Sequence, residues 1–124
     1  MKLRINSNSI RMRLSQGEVE ELVESRVVYE LLNFGNTNLT YQLILSDVKV
    51  ASAAYENDCI SISIPKFEGN KWASSDQVSI EETISLEKGD VLSILIEKDF
   101  KCLTTRPNED ESDLFENPLS NHDS

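Results

Sequence analysis

Met1-Lys2-Leu3-Arg4-Ile5-Asn6-Ser7-Asn8-Ser9-Ile10-Arg11-Met12-Arg13-Leu14-Ser15-Gln16-Gly17-Glu18 is the stretch whose reading decides the fold class. Leu3 and Ile5 alternate with charged neighbours, Ile10, Met12 and Leu14 do so with opposite parity, and the polar run Asn6 to Ser9 separates them. Period-two alternation broken by turn-forming residues predicts a tight β-hairpin. With Ser7 and Asn8 at the turn, Leu3 falls opposite Met12 and Ile5 opposite Ile10, their side chains turned inward. Lys2, Arg4, Arg11 and Arg13 then share the other face, with Arg4 directly across from Arg11. Ser15 and Glu18 make a capping box, in which each side chain satisfies an otherwise orphan backbone N–H, so a helix starts there. Leu14 and Val19 form its hydrophobic staple, Val19, Leu22 and Val23 its apolar stripe, and it ends near Ser25.

The same reading continues outward. Val27 to Phe34 and Leu39 to Leu45 flank Gly35-Asn36-Thr37-Asn38 as a second hairpin. Val50 to Tyr55 and Cys59 to Ile64 flank Glu56-Asn57-Asp58 as a third. Pro65 ends that strand, and Lys66 to Ser75 reads as a short helix holding Phe67, Trp72 and Ala73 against the sheet. Val78 to Leu86 and Val91 to Glu97 close a fourth hairpin around Glu87-Lys88-Gly89-Asp90, where Gly89 supplies a positive φ. The expectation is an α+β fold of about eight short antiparallel strands in four hairpins with two short helices.

A weak internal repeat accompanies this pattern. Sliding the chain by 50 positions places Ile10, Met12 and Leu14 on Ile60, Ile62 and Ile64, and Leu22, Val23 and Val28 on Trp72, Ala73 and Val78. Two pseudo-symmetric ββαββ halves would pack as a barrel or as two facing sheets.

With 124 residues, a second independent core has too little chain to bury it. Residues 1–103 are read as one domain. From residue 104 the apolar pattern stops, Pro107 and Pro118 appear, and Pro107 to Ser124 holds six acids without Lys or Arg, so 104–124 is read as an acidic, largely mobile tail. No apolar run approaches the roughly 20 residues of a membrane span. Cations spread through Met1 to Leu14 do not make a secretory signal, which sets the expected location in the cytoplasm. A formal charge of −10 argues against nucleic acid as a partner, because polyanion binding works by neutralising phosphates.

Like charges across a ladder repel, so Arg4 opposite Arg11 calls for a counter-anion. Internal compensation is the plain reading: the chain has 22 acids, and Glu109, Asp110, Glu111 and Asp113 of the tail could lie across the basic strands. The sharper reading is an external acidic protein or small anion recognised by Arg4, Arg11 and Arg13, with Lys2 as a less directional charge. A metal or redox site would have to draw on Cys59, Cys102, His122, Asp99 and the acidic run, whose spacing matches no zinc cage and no calcium loop. A hydrolase would need paired carboxylates from among Asp47, Asp76, Asp99 and Glu97 at strand ends. No phosphate loop, nucleophile elbow or core His is present, so a non-enzymatic binding module without cofactor is expected. Trp72, Phe67 and Tyr41 are read as packing residues before pocket residues.

The opening Met1 to Ile5, Ser9 to Leu14 with the helix start at Ser15, Trp72 to Val78, Leu95 to Leu103, and Arg106-Pro107 with Glu109-Asp110-Glu111 together resemble a family of small uncharacterised bacterial proteins. The resemblance implies a bacterial cytoplasmic protein and carries no activity, substrate or functional residue.

Overall fold

Every polar cluster read as a turn reverses the chain, and the strands between them form four hairpins. The structure, a computed structural model, describes residues 1–100 and 113–116. The elements are β1 (Lys2–Asn6), β2 (Ser9–Leu14), α1 (Gln16–Ser25), β3 (Val27–Asn33), β4 (Asn38–Ser46), β5 (Ser52–Glu56), β6 (Cys59–Pro65), α2 (Lys66–Ala73), β7 (Ser79–Ser85) and β8 (Val91–Lys98). Asn57 and Asp58 both take positive φ, 52° and 58°, the backbone of a two-residue hairpin turn that follows the twist of its strands. Lys88 and Gly89 also take positive φ in the last turn, 64° and 80°.

The fold is α+β, with two four-stranded sheets ordered β1-β2-β8-β7 and β3-β4-β6-β5. Strands within each hairpin are antiparallel, but the hairpins of a sheet join through parallel pairs, β2 with β8 and β4 with β6. Both sheets are therefore mixed. Each takes one hairpin from each half of the chain, and exchanging β1–β4 for β5–β8 leaves the connectivity unchanged. The sheets stay open and share one core, so two facing sheets describe them and a closed barrel does not.

Equivalent inward rows form that core. Leu3, Met12, Ile96 and Ile80 cross one sheet, and Ala53, Ile62, Leu43 and Val28 cross the other. Leu14, Leu45, Ile64, Val19, Leu22 and Trp72 complete a single buried cluster. Equivalence by register sets Val28 against Ile80, two positions beyond the Val78 reached by the uniform slide of 50, because the chain between α2 and β7 is longer than that between α1 and β3.

The capping box is present: Ser15 Oγ accepts from the Glu18 backbone N–H and Glu18 accepts from the Ser15 N–H. Arg26 ends α1 in the left-handed region, its N–H donating to the Leu22 carbonyl at 2.8 Å. On α2, Trp72 is fully buried and donates from Nε1 to the Val78 carbonyl at 2.9 Å. Phe67 does not join it against the sheet and is 81% exposed. Residues five apart on a helix point about 140° away from each other, so one inward face cannot hold both. Ile5 also departs from the expected burial. It keeps the parity of Leu3 but lies beside the turn on an edge strand and is 60% exposed.

Within the stretch read as a tail, residues 113–116 sit on the domain. Leu114 is buried, the Phe115 ring meets Phe100 edge-on, and the Asp113 carbonyl accepts from the Gln16 N–H at 3.0 Å. The boundary at residue 104, Glu109 to Glu111, Cys102 and His122 lie outside the described residues. Among the described residues no helix is long and apolar enough to cross a membrane.

Candidate functional site

The hairpin register places the four N-terminal cations as the alternation requires, with Lys2 opposite Arg13 and Arg4 opposite Arg11. Parallel pairing of β2 with β8 and antiparallel pairing of β8 with β7 extend these into rows across the face turned away from the core. One row reads Lys2, Arg13, Glu97, Ser79, the next Arg4, Arg11, Leu95, Glu81, and the third Asn6, Ser9, Ser93, Thr83.

Much of the positive charge is compensated internally, by residues sequence reasoning did not choose. Glu97 Oε1 accepts from Arg11 Nε at 2.5 Å and Arg13 Nε at 2.8 Å, and the Lys2 ammonium lies 2.9 Å from Asp99 Oδ2. Both carboxylates are largely buried. Asp113, the one described residue among the four tail acids read as lying across the basic strands, binds elsewhere, with Oδ1 accepting from the Gly17 N–H at the start of α1. Among the described residues, four cations against two carboxylates leave a local excess of two positive charges. Arg4 is exposed and has no ion pair or hydrogen bond among the described residues. A groove of about 450 Å³ runs beside it over the second and third rows, lined by Arg4, Arg11, Ser9, Ser93, Leu95, Thr83 and Glu81. That volume lies within the range of small-ligand sites.

Two charge clusters on the inner side also escaped sequence reasoning. Glu18 of α1 and Glu30 of β3 both receive the Met1 amino group, and the Tyr41 hydroxyl donates to the Met1 carbonyl at 2.9 Å. Burial alone would lower this amine, but the hydrogen bonds and charge of the two Glu side chains raise it overall. Burial would raise Glu18, and the amino group and the Ser15 backbone outweigh it and lower it. In the other half Glu68 and Glu82 occupy the matching places on α2 and β7. There burial, then a hydrogen bond to Glu82 and its charge, push Glu68 up to about 7 against the opposing charge of Lys71.

Lys98 is buried, with its ammonium donating to the Ser75 carbonyl at 2.7 Å and lying over the Trp72 and Phe115 rings. Desolvation lowers its affinity for a proton despite the nearby Asp76. It takes the core position that Leu45 holds in the other sheet, so its sequence offers no sign of burial.

The other candidates are scattered. Cys59 is a half-buried free thiol beside Ser61 Oγ at 3.5 Å. Asp99 and Glu97 are held by cations, and Asp47 and Asp76 are exposed. Among the described residues no three His, Cys, Asp or Glu side chains gather as metal ligands. Trp72 faces the core and Phe67 solvent, so they and Tyr41 share no pocket.

No curated protein and no solved structure matches the chain. The quoted resemblance, the eight-strand topology and the basic hairpin belong to one continuous unit, and residues 1–119 match a family of unknown function, DUF7009, of which this chain is a member.

Proposed function

We propose that the protein is a binding module whose charged sheet face takes an anionic group, a phosphate or carboxylate of a small ligand or acidic partner, at Arg4 and Arg11. The observation that carries this reading is an internal comparison. The first two outward rows of the β1-β2-β8-β7 sheet contain six charged residues in eight positions: Lys2, Arg13, Glu97, Arg4, Arg11 and Glu81. The equivalent rows of the other sheet are Ser52, Ser63, Ile44, Val27 and Ala54, Ser61, Gln42, Tyr29, with no charge at all. Identical connectivity is built on neutral residues there, so the architecture does not demand the charges. Facing Arg residues repel across a ladder, and Arg4, which has no carboxylate partner among the described residues, is placed unfavourably there unless an anion uses it.

Arg4 brings a planar donor fork suited to oxyanions, Arg11 beside it is fixed by Glu97, and the Ser93 hydroxyl supplies a further donor on the groove floor, while that of Ser9 already donates to the Asn6 carbonyl at 2.7 Å. The net charge of −10 repels anions at long range, so recognition is local and weak in isolation.

Titration of the full-length protein with inorganic phosphate at low ionic strength, followed by amide chemical shifts, tests this. Shifts should concentrate at Arg4, Arg11 and Ser93 with a dissociation constant of roughly millimolar order. Arg4→Gln should weaken binding by about fivefold or more. Shifts spread evenly over the molecule, or unaffected by Arg4→Gln, would overturn the reading.

A further inference from the structure

The groove has two ends, and they carry opposite charges. Arg4 lies on β1 and Glu81 on β7, the two edge strands of the sheet, and both belong to the row Arg4, Arg11, Leu95, Glu81. Each is exposed and each lacks an ion-pair or hydrogen-bond partner among the described residues. Three interstrand gaps of about 4.8 Å put their backbones roughly 14 Å apart. At that separation the pair is poorly placed to close on itself, whereas the neighbouring row is closed at its centre by Glu97 between Arg11 and Arg13.

Between the ends the floor changes character in an ordered way. Arg11 stands next to Arg4, Leu95 follows as a half-buried apolar residue, and Ser93 and Thr83 flank Leu95 and Glu81 in the next row. The groove of about 450 Å³ covers this whole path. A simple anion would use only one end of it.

We propose that the groove takes a small zwitterionic ligand, its phosphate or carboxylate at Arg4 and Arg11, a short apolar linker over Leu95, and a primary ammonium at Glu81. This deepens, and rests on, the anion reading above. The site recognises separation as well as charge: an ammonium next to the anion stays near the two Arg side chains and is repelled, and one at the end of a suitable linker reaches Glu81.

The test uses the full-length protein with two probe series, ω-aminoalkyl phosphates and ω-amino carboxylic acids, each compared with its amine-free analogue. Linkers run from about two to about eight carbons, to bracket the strand spacing. Binding is read by calorimetry and amide shifts at neutral pH and low salt. An intermediate linker should bind about threefold to fivefold tighter than its amine-free analogue, in keeping with one exposed ion pair. The shortest linkers should show no gain. Comparing the two series tells whether phosphate or carboxylate is preferred. Glu81→Gln should erase the gain, with the amine-free probe bound no more weakly than before because a repelling charge is gone, while Arg4→Gln should weaken both probes.

If the amine-free and amine-bearing probes bind equally at every length, still dependent on Arg4, the zwitterion proposal falls and the anion site stands. If neither binds, or Arg4→Gln changes nothing, both fall. A gain that survives Glu81→Gln overturns the assignment of the ammonium to Glu81.

Discussion

Glu68 is held in its neutral form to about pH 7 by burial and by Glu82, and this ties the stability of the second half to pH. Its pKa is raised in the folded state, so the stability it contributes is complete below its unfolded value of 4.5 and is lost as pH rises through about 7. The denaturant midpoint of the protein should therefore fall between about pH 4.5 and about pH 7 and level off above that. Glu68→Gln, which keeps a donor without the titration, should flatten that profile and exceed the parent above neutrality. Glu18 has the opposite sign: its lowered pKa means that its contribution disappears only in acid, below 4.5. The two windows do not overlap, so one pH series separates them. Neither cluster was legible in the linear order, because Glu18 and Glu30, like Glu68 and Glu82, meet only when a helix and a strand pack. The pairing of Arg4 with Arg11 was legible, because a two-residue turn fixes it locally.

At the scale of elements, α2 depends on Gly69. It is buried on the inward face, and a Cβ there would collide with the Leu45 side chain and crowd Ile64. Gly69→Ala should improve intrinsic helix propensity yet destabilise the protein by about 1–2 kcal/mol net, since overpacking a filled core outweighs that gain. Chemical denaturation checks the sign, and an unchanged or raised midpoint would show that α2 has room to lift. The cap at Ser15 and Glu18, four hairpins and the inward parity of Met12, Leu14, Ile62 and Ile64 could be read from the chain, since each is a local pattern. Which hairpins share a sheet could not. The parallel registers Arg13 with Glu97 and Thr40 with Cys59 arise from contacts distant in sequence, so the counter-ions of the basic hairpin stayed hidden until β8 was placed beside β2.

For the whole molecule, each sheet is completed only by both halves. β1 and β2 without β8 expose Met12 and Leu14, and β3 and β4 without β6 expose Leu43 and Leu45, all of them buried here. Fragments 1–48 and 49–124, which part between β4 and β5, should each lack cooperative unfolding. Mixed in equal amounts they should recover native-like circular dichroism and amide dispersion. A folded isolated half would show that the facing sheets are separable.

Synthesis of the chain meets the same dependence as a delay. Ser9 pairs with Ser93, so the first hairpin leaves the ribosome well before its parallel neighbour exists. At 5–20 residues per second the intervening stretch takes roughly 4–17 s to make, far longer than a hairpin or helix needs to form. During that interval the nascent first half carries unpaired strand edges and uncovered Leu and Met side chains, which makes it a client for holding chaperones until the last strand emerges.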